Sequence, residues 1–242
     1  FMVAMPIMTS MLLVAFLIIT NLQNSAGLPT EPPPELEQLP PFIQFFLASY
    51  AALIEEIGFR ISPIGPFLLV RVFKARVQNR ITLSRRERMK LLFLALICPD
   101  RAKKTVGLKT VSDFGIRGGI SLGEWIMILV TSLIWSMAHF LVGGWTIGKI
   151  TTVFVNGLVF GLTYMAYGAY APILLHWFFN YYLSVFDPDL SLNYYPFLLP
   201  ISSLAVLLML AVGVAGWTIS AIIGAKKLLK LQKSKAPAVT NC

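Results

Sequence analysis

Apolar runs of about twenty residues, separated by short polar stretches, constrain this chain more than any other feature. They cover residues 2–20, the stretch from Pro41 past Arg60, Ser121 to Val142, Ile147 to Tyr167, Pro172 to Tyr182 and Pro196 to Gly224. In hydrocarbon a backbone has no water to bond, so such runs are stable only as helices that satisfy their own N–H and C=O groups. About twenty residues of helix cross a hydrocarbon core roughly 30 Å thick. The chain is 57% hydrophobic and only 13% charged, where a soluble domain carries about 25% charged residues. The expected fold is an all-α, polytopic transmembrane bundle of six or more spans. It forms a single domain over residues 1–242, with a basic cytoplasmic or interfacial insertion at 61–122.

The distribution of charge orients this bundle. A net charge of +9 could suggest nucleic acid, but the positive residues fall in blocks between apolar runs, the pattern of cytoplasmic loops. From Arg71 to Lys90, Arg71, Lys74, Arg76, Arg80, Arg85, Arg86, Arg88 and Lys90 face a single acid, Glu87. Arg101, Lys103, Lys104, Lys109 and Arg117 prolong the block, and Lys226, Lys227, Lys230, Lys233 and Lys235 form a second one. The proline-rich connector Leu28 to Pro41 carries Glu31, Glu35 and Glu37 and no lysine or arginine, which suits the other side. Polar loops are expected near 143–147 and 187–195 on that side, with a turn near Gly168 on the cytoplasmic side. Residues 2–20 lack a basic leader and a small-residue cleavage site, so they read as a membrane helix and not as a signal peptide. Leu91 to Cys98 is too short to span and is expected as an interfacial helix, its basic surroundings placed to meet anionic lipid headgroups. Ser121 followed by Glu124 is the pattern of a capping box opening the next helix. Gly157 and Gly161 allow close helix contact. Cys98 and Cys242 supply neither a disulfide framework nor a four-ligand metal site.

Ionisable groups inside such helices are costly and mark either function or tight pairing. The stretch Ala51-Ala-Leu-Ile-Glu-Glu-Ile-Gly-Phe-Arg60 holds three. Glu56 and Arg60, four apart, share a helix face and can neutralise each other. Glu55 is turned about 100° away, which leaves it free to face something that needs a carboxylate. The two histidines, His139 and His176, both fall in expected membrane helices. Asn180 shares a face with His176, and Trp135 one with His139 as a packing residue. The charge path puts Glu55 toward the inner side and His139 toward the outer. They meet only if the second helix runs on through Pro63 and Pro66, which otherwise bend or end it, or if the third helix is shifted. Three chemistries remain open on these residues. Glutamate and imidazole can activate water, and histidine and amide can hold an oxyanion. Glu55, His139 and His176 can alternatively be three ligands of a zinc ion. A transporter or immunity protein could use the same buried cluster for ion or proton binding. A serine elbow, a His-Glu-x-x-His helix and a pair of intramembrane aspartates are absent from the sequence.

Three short motifs in order resemble the CPBP, or ABI, family of intramembrane proteases, whose prenyl-protein branch is the type II CAAX endopeptidase. Glu55-Glu56-Ile57-Gly58-Phe59-Arg60 matches the family's Glu-Glu-x-x-x-Arg. Trp135-Ser136-Met137-Ala138-His139 matches its Phe-x-x-x-His with a different aromatic, and His176-Trp177-Phe178-Phe179-Asn180 its His-x-x-x-Asn. Asn156-Gly157 through Leu162, then Gly168 and Ala171-Pro172, also look like the segment before the last motif. The resemblance implies an intramembrane endopeptidase. In it Glu55 activates water with help from His139, His176 and Asn180 stabilise the oxyanion, and Glu56 and Arg60 support the site. It implies no resident cofactor in the favoured mechanism, with zinc as the alternative. The implied substrate is a peptide or a prenylated protein C-terminus. Membrane lipids are the other expected partner, with neither nucleic acid nor an obligate protein partner. The expected location is a prokaryotic plasma membrane, with the active site open to the cytoplasm.

Overall fold

The computed structural model describes residues 1–185 and 199–235, and every element among them is helical. Helix α1 is Ala4–Ser25, α2 the single turn Pro34–Glu37, and α3 Pro41–Glu56. A π turn, Ile57–Ile61, leads directly into α4, Ser62–Gln78, so Phe42–Gln78 is one continuous helix of 37 residues. The basic segment folds as α5 (Arg85–Ile97), α6 (Pro99–Thr105) and α7 (Val111–Gly119). The bundle is completed by α8 (Leu122–Leu141), α9 (Lys149–Tyr167), α10 (Tyr170–Val185) and α11 (Leu199–Lys235). Five of the described helices are long and apolar enough to cross a membrane: Ala4–Ser25, Phe42–Gln78, Leu122–Leu141, Lys149–Tyr167 and Ser203–Lys227. Six or more spans are expected from the sequence; among the described residues α10, the sixth, counts 16 residues up to Val185 and is not one of the five. The polar loop expected at 187–195 lies outside the described residues.

Pro63 and Pro66 neither end nor break the second long helix. Pro63 has no N–H for the carbonyl four residues before it, and its ring crowds that carbonyl. Widening the ladder upstream relieves the conflict: the Ser62 N–H reaches back five residues to the Ile57 carbonyl, the signature of a π turn. Residues from Ser62 onward therefore continue a membrane helix, and the basic insertion proper begins beyond Gln78.

Helices α8 and α9 pack tightly at two glycines. A Cβ on Gly157 would stand 2.8 Å from the Ser132 Cβ, and one on Gly161 2.8 Å from a methyl of Ile128. Small residues let helix backbones approach where lipid offers no hydrophobic drive. Around this seam Trp135, Val153, Phe160, Leu175 and Phe179 bury against Leu12 of α1. Trp217 of α11 donates its indole N–H to the Met11 carbonyl at 2.9 Å.

The bundle has two unlike ends. At one, Ser121 caps α8 in the expected box: its N–H donates to Glu124 Oε2 at 2.8 Å, and its Oγ accepts from the Glu124 N–H at 3.4 Å. Glu124, fully buried, also pairs with Arg71 at 2.6 Å and with buried Lys103 at 2.9 Å. Lys103 Nζ donates as well to the Gly119 carbonyl. Leu91 and Ala95 of α5 and Ala102 of α6 bury against Val72 and Ala75 of α4. The basic insertion is thus packed onto this end instead of hanging as a solvated connector. At the opposite end, the last turns of α1 and the chain after it strap onto the loop before α9. Gln23 Nε2 donates to the Gly148 carbonyl at 3.0 Å, the Glu31 N–H to Thr146 Oγ1 at 2.8 Å, and Thr146 Oγ1 to the Pro29 carbonyl at 2.7 Å.

Candidate active site

Four helices bring Glu55, Glu56, His139, Lys149 and His176 together near that second end. Glu55 and Glu56 occupy the last turn of α3, Trp135 and His139 the C-terminal half of α8, Lys149 the start of α9, and His176 and Asn180 the middle of α10. Because the second helix continues through its prolines, Glu55 lies level with the C-terminal turn of α8. This resolves the mismatch in depth in favour of the uninterrupted helix.

Glu56 and Arg60 form the expected ion pair, 3.3 Å apart and fully buried. The pair is not isolated. The guanidinium lies 4.2 Å over the Trp135 ring and 5.6 Å over Phe160, a favourable site for a desolvated cation. Glu56 Oε1 also lies 2.8 Å from His176 Nδ1. A carboxylate paired with arginine only accepts, so Nδ1 of His176 carries the proton and donates. The same reasoning applies to His139, whose Nδ1 lies 3.0 Å from the Trp135 carbonyl. With both Nδ1 atoms committed, each ring turns Nε2 toward Glu55. The Nε2 atoms of His139 and His176 stand 3.9 and 4.0 Å from Glu55 Oε2. These separations are too long for direct hydrogen bonds and suit a single bridging water.

Exposure falls across the cluster from Glu55 to His176. The Glu55 side chain is 26% exposed, His139 18% and His176 5%. A cavity of about 260 Å³, walled by Gln44, Ala48, Glu55, His139, Lys149 and Asn180 among others, leads to them. Behind it a pocket of about 40 Å³, bounded by Trp135, His139, Asn156 and His176, is large enough for a water molecule. A roomier apolar groove between α1 and α11 is lined by residues such as Val14, Ile18 and Trp217 and has no ionisable group in its wall. Asn180 lines the cavity of about 260 Å³, where its Nδ2 donates to the Ala48 carbonyl at 3.3 Å.

Two residues enter the cluster that the sequence did not assign to it. Trp135, expected only to pack, donates its indole N–H to Glu55 Oε2 at 2.6 Å. Its ring meets both imidazoles edge-on, at 5.2 and 5.3 Å between centroids. Lys149 borders the cavity with its ammonium 3.5 Å from the Trp145 ring. The available signal was its isolation: it is the one lysine or arginine between Arg117 and Lys226.

Zinc fits these residues poorly. Ligand atoms about 2.0–2.1 Å from one tetrahedral ion stand about 3.3 Å from each other, against the 3.9 and 4.0 Å separations here. Among the described residues no group of three His, Cys, Asp or Glu side chains is arranged to hold a metal.

Neither the curated proteins nor the solved structures yield a match to this chain. A family model described as type II CAAX prenyl endopeptidase Rce1-like matches residues 37–182, more than half of the 242, and that span contains Glu55, Glu56, Arg60, His139, His176 and Asn180. With all three motifs inside the matched span and their side chains converging on one cavity, the chain belongs to the type II CAAX prenyl endopeptidase Rce1-like family of proteases.

Proposed function

We propose that this protein is an intramembrane endopeptidase that hydrolyses a peptide bond with a water activated by Glu55 and His139. The observation that carries the reading is the convergence of both free Nε2 atoms on one oxygen of Glu55, at 3.9 and 4.0 Å. A water bridging Glu55 and His139 gives up a proton to the Glu55 carboxylate as its oxygen attacks the carbonyl carbon of the substrate. The negative charge that develops on the carbonyl oxygen meets the Asn180 amide. It also meets Nε2 of His176, which donates when that ring is doubly protonated, Nδ1 being held by Glu56. The proton taken from water then passes to the departing amide nitrogen as the C–N bond breaks. No step needs a cofactor. Membership of the family makes a prenylated protein C-terminus one substrate class to try, and a membrane-proximal peptide without a prenyl group the other.

The test is cleavage of internally quenched peptides, with and without a C-terminal farnesylcysteine, by purified protein and by its Glu55→Gln variant. The expected result is cleavage by the parent and a rate reduced by about 10²-fold or more in the variant, with the thermal transition preserved. Cleavage at the parent rate by a folded Glu55→Gln protein would refute the assignment. Binding of peptide or ion without product would favour the transporter or immunity reading.

A further inference from the structure

We infer that the catalytic cavity opens on the non-cytoplasmic side of the membrane, so that its substrates are peptides presented outside the cytoplasm. The substrate half of this inference rests on the endopeptidase reading; the orientation does not.

The chain has 20 lysines and arginines. They fall in two blocks, Arg71 to Arg117 and Lys226 to Lys235, apart from two residues: Arg60, paired with Glu56, and Lys149, in the cavity wall. Helix polarity brings both blocks to one end. Helix α4 finishes there and α8 starts there, tied together by Arg71 and Lys103 on Glu124. Helix α1 also starts at this end, the Phe1 ring lying 5.1 Å from Tyr167 and 5.8 Å from Tyr170, while Ala169 donates its N–H to the Ile97 carbonyl of α5 at 2.8 Å. Helix α11 runs antiparallel to α1: Gly213 sits beside Ser10 and Gly216 beside Ile7. The closing lysines of α11 therefore return to the same end.

The cavity lies at the other end. His139 is two residues short of the end of α8, Lys149 is the first residue of α9, and the wall formed by α3 climbs to Gln44, one turn from that helix's start. Short loops rich in lysine and arginine stay in the cytoplasm. A cavity facing the cytoplasm would require both basic blocks to be translocated across the membrane. Cytoplasmic access, the expectation from sequence, goes with a Glu55 lying toward the inner side of the membrane, as it does where Pro63 and Pro66 bend or end the helix. With the helix uninterrupted, the residues from Ile57 to Val70 separate Glu55 from the basic end. A prenylated cytoplasmic C-terminus does not reach such a site from its own side.

The test uses the full chain in a bacterial inner membrane, with Cys98→Ser and Cys242→Ser as background and single cysteines introduced by Leu28→Cys, Val142→Cys, Arg85→Cys or Lys226→Cys. The replaced side chains are exposed, so no buried contact is lost. A membrane-impermeant maleimide is added to intact spheroplasts and to permeabilised ones. Labelling of Leu28→Cys and Val142→Cys in intact spheroplasts, with Arg85→Cys and Lys226→Cys labelled only after permeabilisation, is the expected result. Labelling of Arg85→Cys in intact spheroplasts, with Val142→Cys protected, overturns it. The readout does not depend on hydrolysis, so it remains decisive whatever the Glu55→Gln experiment shows.

Discussion

Trp135 serves two charged groups at once: its N–H bonds Glu55 and its ring face supports Arg60. The two roles can be separated. Trp135→Phe keeps an aromatic face under the guanidinium and deletes the donor, and a hydrogen bond to a charged group is worth about 1.5–3 kcal/mol. We expect peptide cleavage to fall by about 10- to 100-fold while the thermal transition moves little, which assays on the same detergent-purified sample will check. Glu56 and Arg60 should behave in the opposite way. Removing one partner of a buried pair strands the other charge at a cost of about 3–5 kcal/mol, whereas removing both costs much less. Arg60→Met alone should therefore lower the melting temperature more than Arg60→Met combined with Glu56→Gln, a comparison that thermal unfolding of the three proteins in detergent can make. Should the double variant be the less stable, the pair matters for its link to His176 more than for its charge balance.

Among the elements, the α8–α9 seam and the π turn set the geometry of the site. Gly157 admits the Arg60 guanidinium as well as the neighbouring helix, since a Cβ there would stand 3.1 Å from Nη2 of Arg60 and 2.8 Å from the Ser132 Cβ. The Ser132 Cβ is fixed to its backbone, so Gly157→Ala has to push the helices apart by several tenths of an ångström. We expect a destabilisation of about 1–3 kcal/mol with reduced cleavage, and partial recovery on adding Ser132→Gly. Thermal melts of the single and double variants measure both effects. The capping box of α8 and the Gly-x-x-x-Gly seam were legible in the sequence because each is a pattern within a few residues of one helix. The run through Pro63 was not legible, because whether a proline ends a helix or is absorbed by a π turn depends on what holds the segments on either side. Here Ile64 and Leu68 of α4 are buried against Ile128, Tyr164 and Met165, which keeps the helix going beyond the proline.

For the whole molecule, the separation of a basic end from a reactive end makes lipid composition a test of structure. Each lysine or arginine near an anionic membrane surface contributes about 1 kcal/mol, screened by salt. In nanodiscs containing anionic lipid we expect a higher melting temperature than in zwitterionic ones. The gain should shrink on raising the salt concentration and on replacing Arg85, Arg86 and Arg88 by glutamine. Identical melting temperatures in the two lipids would show that the insertion does not meet the headgroups. The sequence by itself determined that the chain is a bundle of membrane helices, where its cations cluster, that Glu56 and Arg60 pair, and which three motifs carry the family resemblance. Hydropathy, charge blocks and i,i+4 spacing are properties of neighbouring residues, and hydrocarbon leaves the backbone no choice but helix. The tertiary structure alone decided that Trp135 and Lys149 join the site, which ring nitrogens of the two histidines face Glu55, and at which end the cavity opens. Those outcomes depend on contacts between residues 80 to 120 positions apart, and the packing of four helices, not any local pattern, brings such residues within reach of one water molecule.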